Sequence, residues 1–137
     1  MNYKWKLALS LGVALAGTAF ALSVPFTFTS AIERFPGFIG PGVVQFQEVT
    51  LKPGESTGWH HHEGPATVIL AKGRNVTEDH GCGPDRVQPG IAFAESANKT
   101  HRVDNNGPGL AIIYWSTVYP EGSSPTIPDD IAPPCTP

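Results

Sequence analysis

The stretch Pro53-Gly54-Glu55-Ser56-Thr57-Gly58-Trp59-His60-His61-His62-Glu63-Gly64-Pro65-Ala66-Thr67-Val68-Ile69-Leu70-Ala71-Lys72-Gly73 decides how this chain reads. Turn signals bracket it at Lys52-Pro53-Gly54-Glu55 and Lys72-Gly73, and Gly64-Pro65 divides it. Gly58 to His62 reads as a short extended segment, and Ala66 to Ala71 as an apolar run of strand length. Side chains along a strand alternate between faces, so His60 and His62 share one face and His61 takes the other. Two imidazoles on one face are half of a site for zinc, copper, iron or nickel. The same H-x-H also fits a solvated cluster beside a turn, so alone it does not choose.

Working outward, Val43, Phe46, Val49 and Leu51 mark a strand before the first turn. Arg74 to Asp79 alternates and is expected to pair with Ala66 to Ala71 across Lys72-Gly73. Residues 80–88 read as loop. After the turn Gln88-Pro89-Gly90 come three more strands, Ile91 to Glu95, His101 to Asn105 and Leu110 to Val118. The 15 glycines and 14 prolines follow no repeat period, and past the N-terminus no window shows helical spacing. Six to eight short strands point to an all-β sandwich or closed barrel. His101 opens one of these strands and is the third candidate ligand, while His80 lies in the loop and reads as surface. Trp59 reads as core or rim packing, and Phe93, Tyr114 and Trp115 as barrel core.

The spacing of these residues resembles the two motifs of the cupin superfamily. The first motif runs glycine, five residues, H-x-H, three or four residues, glutamate, six residues, glycine, and Gly54, His60, His62 and Gly73 follow it. The second runs glycine, five residues, P-x-G, two residues, histidine, three residues, asparagine. Gly90, Ser96, Asn98, His101 and Asn105 are similar to it. The resemblance spans residues 41–119. It implies a double-stranded β-helix (jelly-roll) barrel holding one divalent metal, Fe, Mn, Ni or Zn, on His60, His62 and His101.

The match has departures. Counting back from Gly73 puts Ala66 where the first motif has glutamate, and Ser96 and Asn98 replace a proline and a glycine. Asparagine tolerates a left-handed backbone, so that turn can survive. The missing carboxylate matters more. Three neutral histidines leave the ion its full positive charge, which favours an anionic or chelating ligand and resembles zinc sites that acidify a bound water. Two carboxylates are candidates for an additional ligand or an outer supporting role. Glu63 alternates to the wrong face unless the chain turns at Gly64-Pro65, and Glu95 ends its strand near the cavity mouth.

The ends differ in kind. Lys4 and Lys6, the apolar run Leu7 to Phe20 and Ala19-Phe20-Ala21 form the three parts of a secretory signal over residues 1–21. If it is not cleaved, residues 7–28 would serve as a membrane anchor. Either way the domain is expected outside the cytoplasm, secreted or periplasmic. Residues 22–42 form a lead-in, 43–119 the barrel and 120–137 a proline-rich tail. Loss of the leader would move the formal charge from −3 to −5, so nucleic acid is a poor partner. Cys82 and Cys135 most simply form one disulfide in an oxidising compartment, pinning the tail. Asn75-Val76-Thr77 and Asn98-Lys99-Thr100 match the N-glycosylation pattern.

The expectation is therefore an exported small cupin with a small-molecule ligand or substrate. Within the cupin resemblance a three-histidine site suggests a metal-dependent dioxygenase, or a hydrolase or lyase using metal-bound hydroxide. The alternatives are a non-catalytic barrel that binds metal or small molecules, and a structural barrel. A homodimer fits the resemblance as well.

Overall fold

The computed structural model describes residues 27–32 and 41–135. The expected leader over 1–21 lies outside them, as does all but the end of the alternative anchor over 7–28. The described residues form strands and turns and no helix. In chain order the strands are β1 (Thr27–Ile32), β2 (Gly42–Leu51), β3 (His60–His61), β4 (Ala66–Lys72), β5 (Val76–Asp79), β6 (Pro84–Val87), β7 (Ala92–Glu95), β8 (Arg102–Asn105), β9 (Ala111–Pro120) and β10 (Ile127–Pro128).

One wall of the barrel is a five-stranded sheet in the order β1-β2-β9-β4-β7. The other wall comes from two smaller sheets, β10-β3 and β6-β5-β8. Bridges Ser56↔Asp104 and His60↔His101 join them, so that wall reads β10-β3-β8-β5-β6. Every strand pair is antiparallel. β9 is the spine of the first wall, and its period of two sends Ala111, Ile113, Trp115, Thr117 and Tyr119 inward. Ala66, Val68 and Leu70 of β4 and Val49 and Leu51 of β2 meet them, and Val76 and Val103 close the core from the second wall. Fully burying a Leu, Ile or Val side chain is worth about 1.5–3 kcal/mol, so this small cluster carries much of the stability.

Three local expectations are corrected. The Arg74 to Asp79 segment does not fold back on Ala66 to Ala71: β5 pairs with β6 and β8 in the opposite wall. Gly73 (φ 147°) and Asn75 (φ 58°) turn the chain out of the first sheet instead of closing a hairpin. The 80–88 loop contains β6, an exposed edge strand held by backbone pairing, in which only Val87 packs against the core, too little to leave a sequence signal. Tyr114 is not core, because Trp115 points inward and its neighbour in the strand must point out. The lead-in contains β1, and the tail contains β10, which lies against β3.

Candidate metal centre

The site is assembled by one β-bridge. His60 N donates to His101 O at 2.9 Å and His101 N to His60 O at 2.8 Å, so the two residues stand opposite each other. Directly opposed residues project to the same face. His62, two positions beyond His60, joins them, and all three are buried. The ring centroids lie 4.4 Å (His60–His101), 5.0 Å (His60–His62) and 5.1 Å (His62–His101) apart. One ligating atom from each falls within 4.8 Å of the others, so the triad could hold a metal ion. His61 turns away, its Nδ1 3.0 Å from Asp129 Oδ2.

Each ring of the triad is held by a main-chain carbonyl. His60 Nδ1 lies 2.9 Å from Gly58 O, His62 Nδ1 2.7 Å from Pro125 O and His101 Nδ1 2.8 Å from Lys99 O. A carbonyl can only accept, so Nδ1 is the protonated nitrogen in all three, and a neutral ring then keeps its Nε2 lone pair for a metal. Outer-shell bonds of this kind are how metal-binding histidines are oriented. Local backbone geometry sets up these carbonyls. Gly58, at φ 73°, turns its own toward His60, and Asn98 takes φ 57° at the turn before His101, the left-handed position expected of it.

Glu95 lies against two of the three rings. Its Oε2 is 3.1 Å from His62 Nε2 and its Oε1 is 3.2 Å from His101 Nε2. Yet Glu95 Oε2 and His101 Nε2 are both buried without a well-aligned hydrogen bond. Burial opposes ionisation of Glu95, but the neighbouring His101 and His62 outweigh it and bring its carboxyl down to about 2. Burial likewise disfavours charge on His101, and the Glu95 carboxylate overcomes this and raises its pKa. His60 is lowered to about 4, first by burial and then by the charge of His101. Glu63, the other candidate carboxylate, accepts from Ser123 Oγ instead and is no part of the group.

A second group converges on His101. Glu78, Glu95 and His101 also bring ligating atoms within 4.8 Å of one another, and His80 Nε2 lies 3.2 Å from Glu78 Oε1. Burial, followed by the charge of Glu95, pushes the Glu78 carboxyl up to about 7. Sequence reading missed Glu78 because nothing in its spacing ties it to the histidines. Its place comes from the β5–β8 pairing, which the expected hairpin would have prevented.

A cavity of about 80 Å³ opens beside the triad. Val49, Val68, Val103, Ile113 and Trp115 make its apolar wall, and Gln47, Thr57 and Thr126 its polar edge. The Trp115 ring packs 4.7 Å from that of His62, and among the described residues nothing accepts its Nε1–H. Trp59 stays out of the cavity, under the Arg102 guanidinium at 4.8 Å. The C-terminal segment closes the rim. Asp129 N donates to Trp59 O at 2.9 Å, and the Cys82–Cys135 disulfide anchors the end.

A family model for the cupin domain matches residues 47–117, from β2 through β9. The chain belongs to the cupin family. Solved structures agree on the barrel. A Klebsiella pneumoniae protein with a double-stranded β-helix domain is 20% identical, with a TM-score of 0.51 over 59% of this chain and 70% of that one. A cupin domain from Bordetella pertussis is 16% identical, with a TM-score of 0.50 over 67% and 92%. Salicylate 1,2-dioxygenase from Pseudoaminobacter salicylatoxidans, solved with gentisate, is 17% identical, with a TM-score of 0.50 over 66% of this cupin and 28% of the enzyme. At these identities the likeness is one of fold. No curated protein sequence matches this cupin.

Proposed function

We propose that this cupin is an exported metalloprotein that binds one divalent ion through Nε2 of His60, His62 and His101 and acts on a small chelating or anionic substrate, with dioxygenation as the leading reaction. The observation that carries the reading is the three Nδ1–carbonyl contacts. A solvated or purely structural cluster has no need for three buried rings turned the same way. When bound, a divalent iron with open positions supplies the activation of dioxygen and of a chelating substrate.

The chain's own residues account for the rest. The apolar wall excludes water from a small ligand, and the Trp115 indole N–H donates to an acceptor on it. The basic, apolar leader residues and the disulfide between Cys82 and Cys135 support export.

The test is direct. Metal-free protein titrated with Zn²⁺ or Fe²⁺ is expected to bind one ion, and His60→Ala, His62→Ala and His101→Ala to lose binding while staying folded. His61→Ala is expected to keep it. Equal loss from all four substitutions would contradict the site. Oxygen uptake by the Fe²⁺-loaded protein with a panel of aromatic and hydroxy acids then tests the reaction. Metal binding without uptake on any of them would favour a non-catalytic metal or small-molecule binding barrel.

A further inference from the structure

We propose that Glu95 is the fourth metal ligand, supplying from the neighbouring strand the carboxylate that Ala66 cannot. The inference rests on the metal reading above and concerns how that site is completed. β4 and β7 pair in a register that sets Ala66 directly opposite Glu95. In an antiparallel pair such residues share a face with Cβ atoms about 4.5–5.5 Å apart, well within the reach of a glutamate side chain. Ala66, 2% exposed, offers only a methyl group there, so the space a first-motif glutamate would fill is left to its cross-strand partner.

Glu95 behaves as a ligand should. It is 4% exposed, and its ion-pair partners among the described residues are His62 and His101, with no lysine or arginine. A carboxylate buried this deeply needs a cation or several good hydrogen bonds, and neither histidine contact is well enough aligned to satisfy both of its oxygens. The separations from two of the three histidines are compatible with a shared ion. Two donors each about 2.1 Å from a metal and set at 90–109° to one another lie about 3.0–3.4 Å apart. The measured values are 3.1 and 3.2 Å.

The consequence is electrostatic. Three neutral histidines and one carboxylate leave a divalent ion a single net positive charge. The centre then resembles one with an intact first motif more than the fully charged centre expected from Ala66 alone. The ligand set has been kept while one donor has moved across a strand pair.

The experiment is a cross-strand exchange. Affinities for Zn²⁺ and Co²⁺, by competition with a chromophoric chelator, and the visible spectrum of the Co²⁺ form are measured for four proteins. These are the wild type, Glu95→Gln, Glu95→Ala and the double variant Glu95→Ala/Ala66→Glu. Glu95→Gln preserves shape and keeps the test valid should Glu95→Ala misfold. The expected result is a fall in affinity beyond the roughly 100-fold limit of an outer-shell change, with a changed Co²⁺ spectrum. The exchange should then recover to within about tenfold of wild type. A residue that merely orients His62 or His101 would not be rescued from position 66. Wild-type affinity and spectrum in Glu95→Gln would overturn the proposal, as would an exchange variant as weak as Glu95→Ala. In either case loss of metal by His62→Ala would leave the three-histidine site standing. Failure of the wild type to bind any metal would remove both readings.

Discussion

Asn105 is buried at the foot of β8. Its Nδ2 donates to Leu51 O at 2.9 Å and to Gly109 O at 2.8 Å, and its Oδ1 accepts from Gly107 N at 3.0 Å. One amide thus ties the end of β2 to the turn that starts β9. Asn105→Ala takes this partner from two buried main-chain groups, Leu51 O and Gly107 N, and is expected to cost about 2 kcal/mol, read as a lower urea midpoint at unchanged m-value. A cost below about 0.5 kcal/mol would show that water replaces the side chain. The motif position of Asn105 was legible from spacing, as was the shared face of His60 and His62. Glu95 was legible as a candidate near the cavity mouth, but its place opposite Ala66 was not, because register is a property of the pairing.

At the scale of elements, the central strands were readable because they are apolar and β-branched runs of strand length bounded by turn signals. Their inward faces were less legible, since β2 buries Gln45 and Gln47 and leaves Phe46 exposed. Strands that bury little escape such reading, as β6 shows, and so does β10, two residues long in a proline-rich stretch. Yet the segment around β10 reaches the site, through Pro125 O on His62 and Asp129 on His61. Further along it, Pro133 packs so closely on Gly81 that a Cβ there would collide with the Pro133 carbonyl, and Gly81 has φ 88°. Gly81→Ala is therefore expected to raise amide hydrogen exchange at His61 and Asp129 by about tenfold or more while leaving β9 protected. Unchanged exchange would mean that the segment is held without this contact.

At the scale of the whole molecule, the Cys82–Cys135 bond spans 53 residues and fastens the segment that covers the rim. In the chain-entropy account a loop of that length is worth about 4 kcal/mol. The Cys82→Ser/Cys135→Ser variant should lose stability of that order in chemical denaturation. Its metal affinity should also fall, by about tenfold, because His62 loses its Pro125 anchor. Lost stability with full metal affinity would show that the segment orients nothing. The two walls, the cavity and the triad form only when residues far apart in sequence meet. That is why the family resemblance conveyed the architecture, while local patterns conveyed separate strands and the wrong partner for β5.

The most direct test of the central claim is the metal content of protein purified without chelator or histidine tag. The account predicts close to one divalent ion per chain, lost together with His60 or His101. Protein that carries no metal, and takes up none on dialysis against Fe²⁺, Mn²⁺, Ni²⁺ or Zn²⁺, would contradict it.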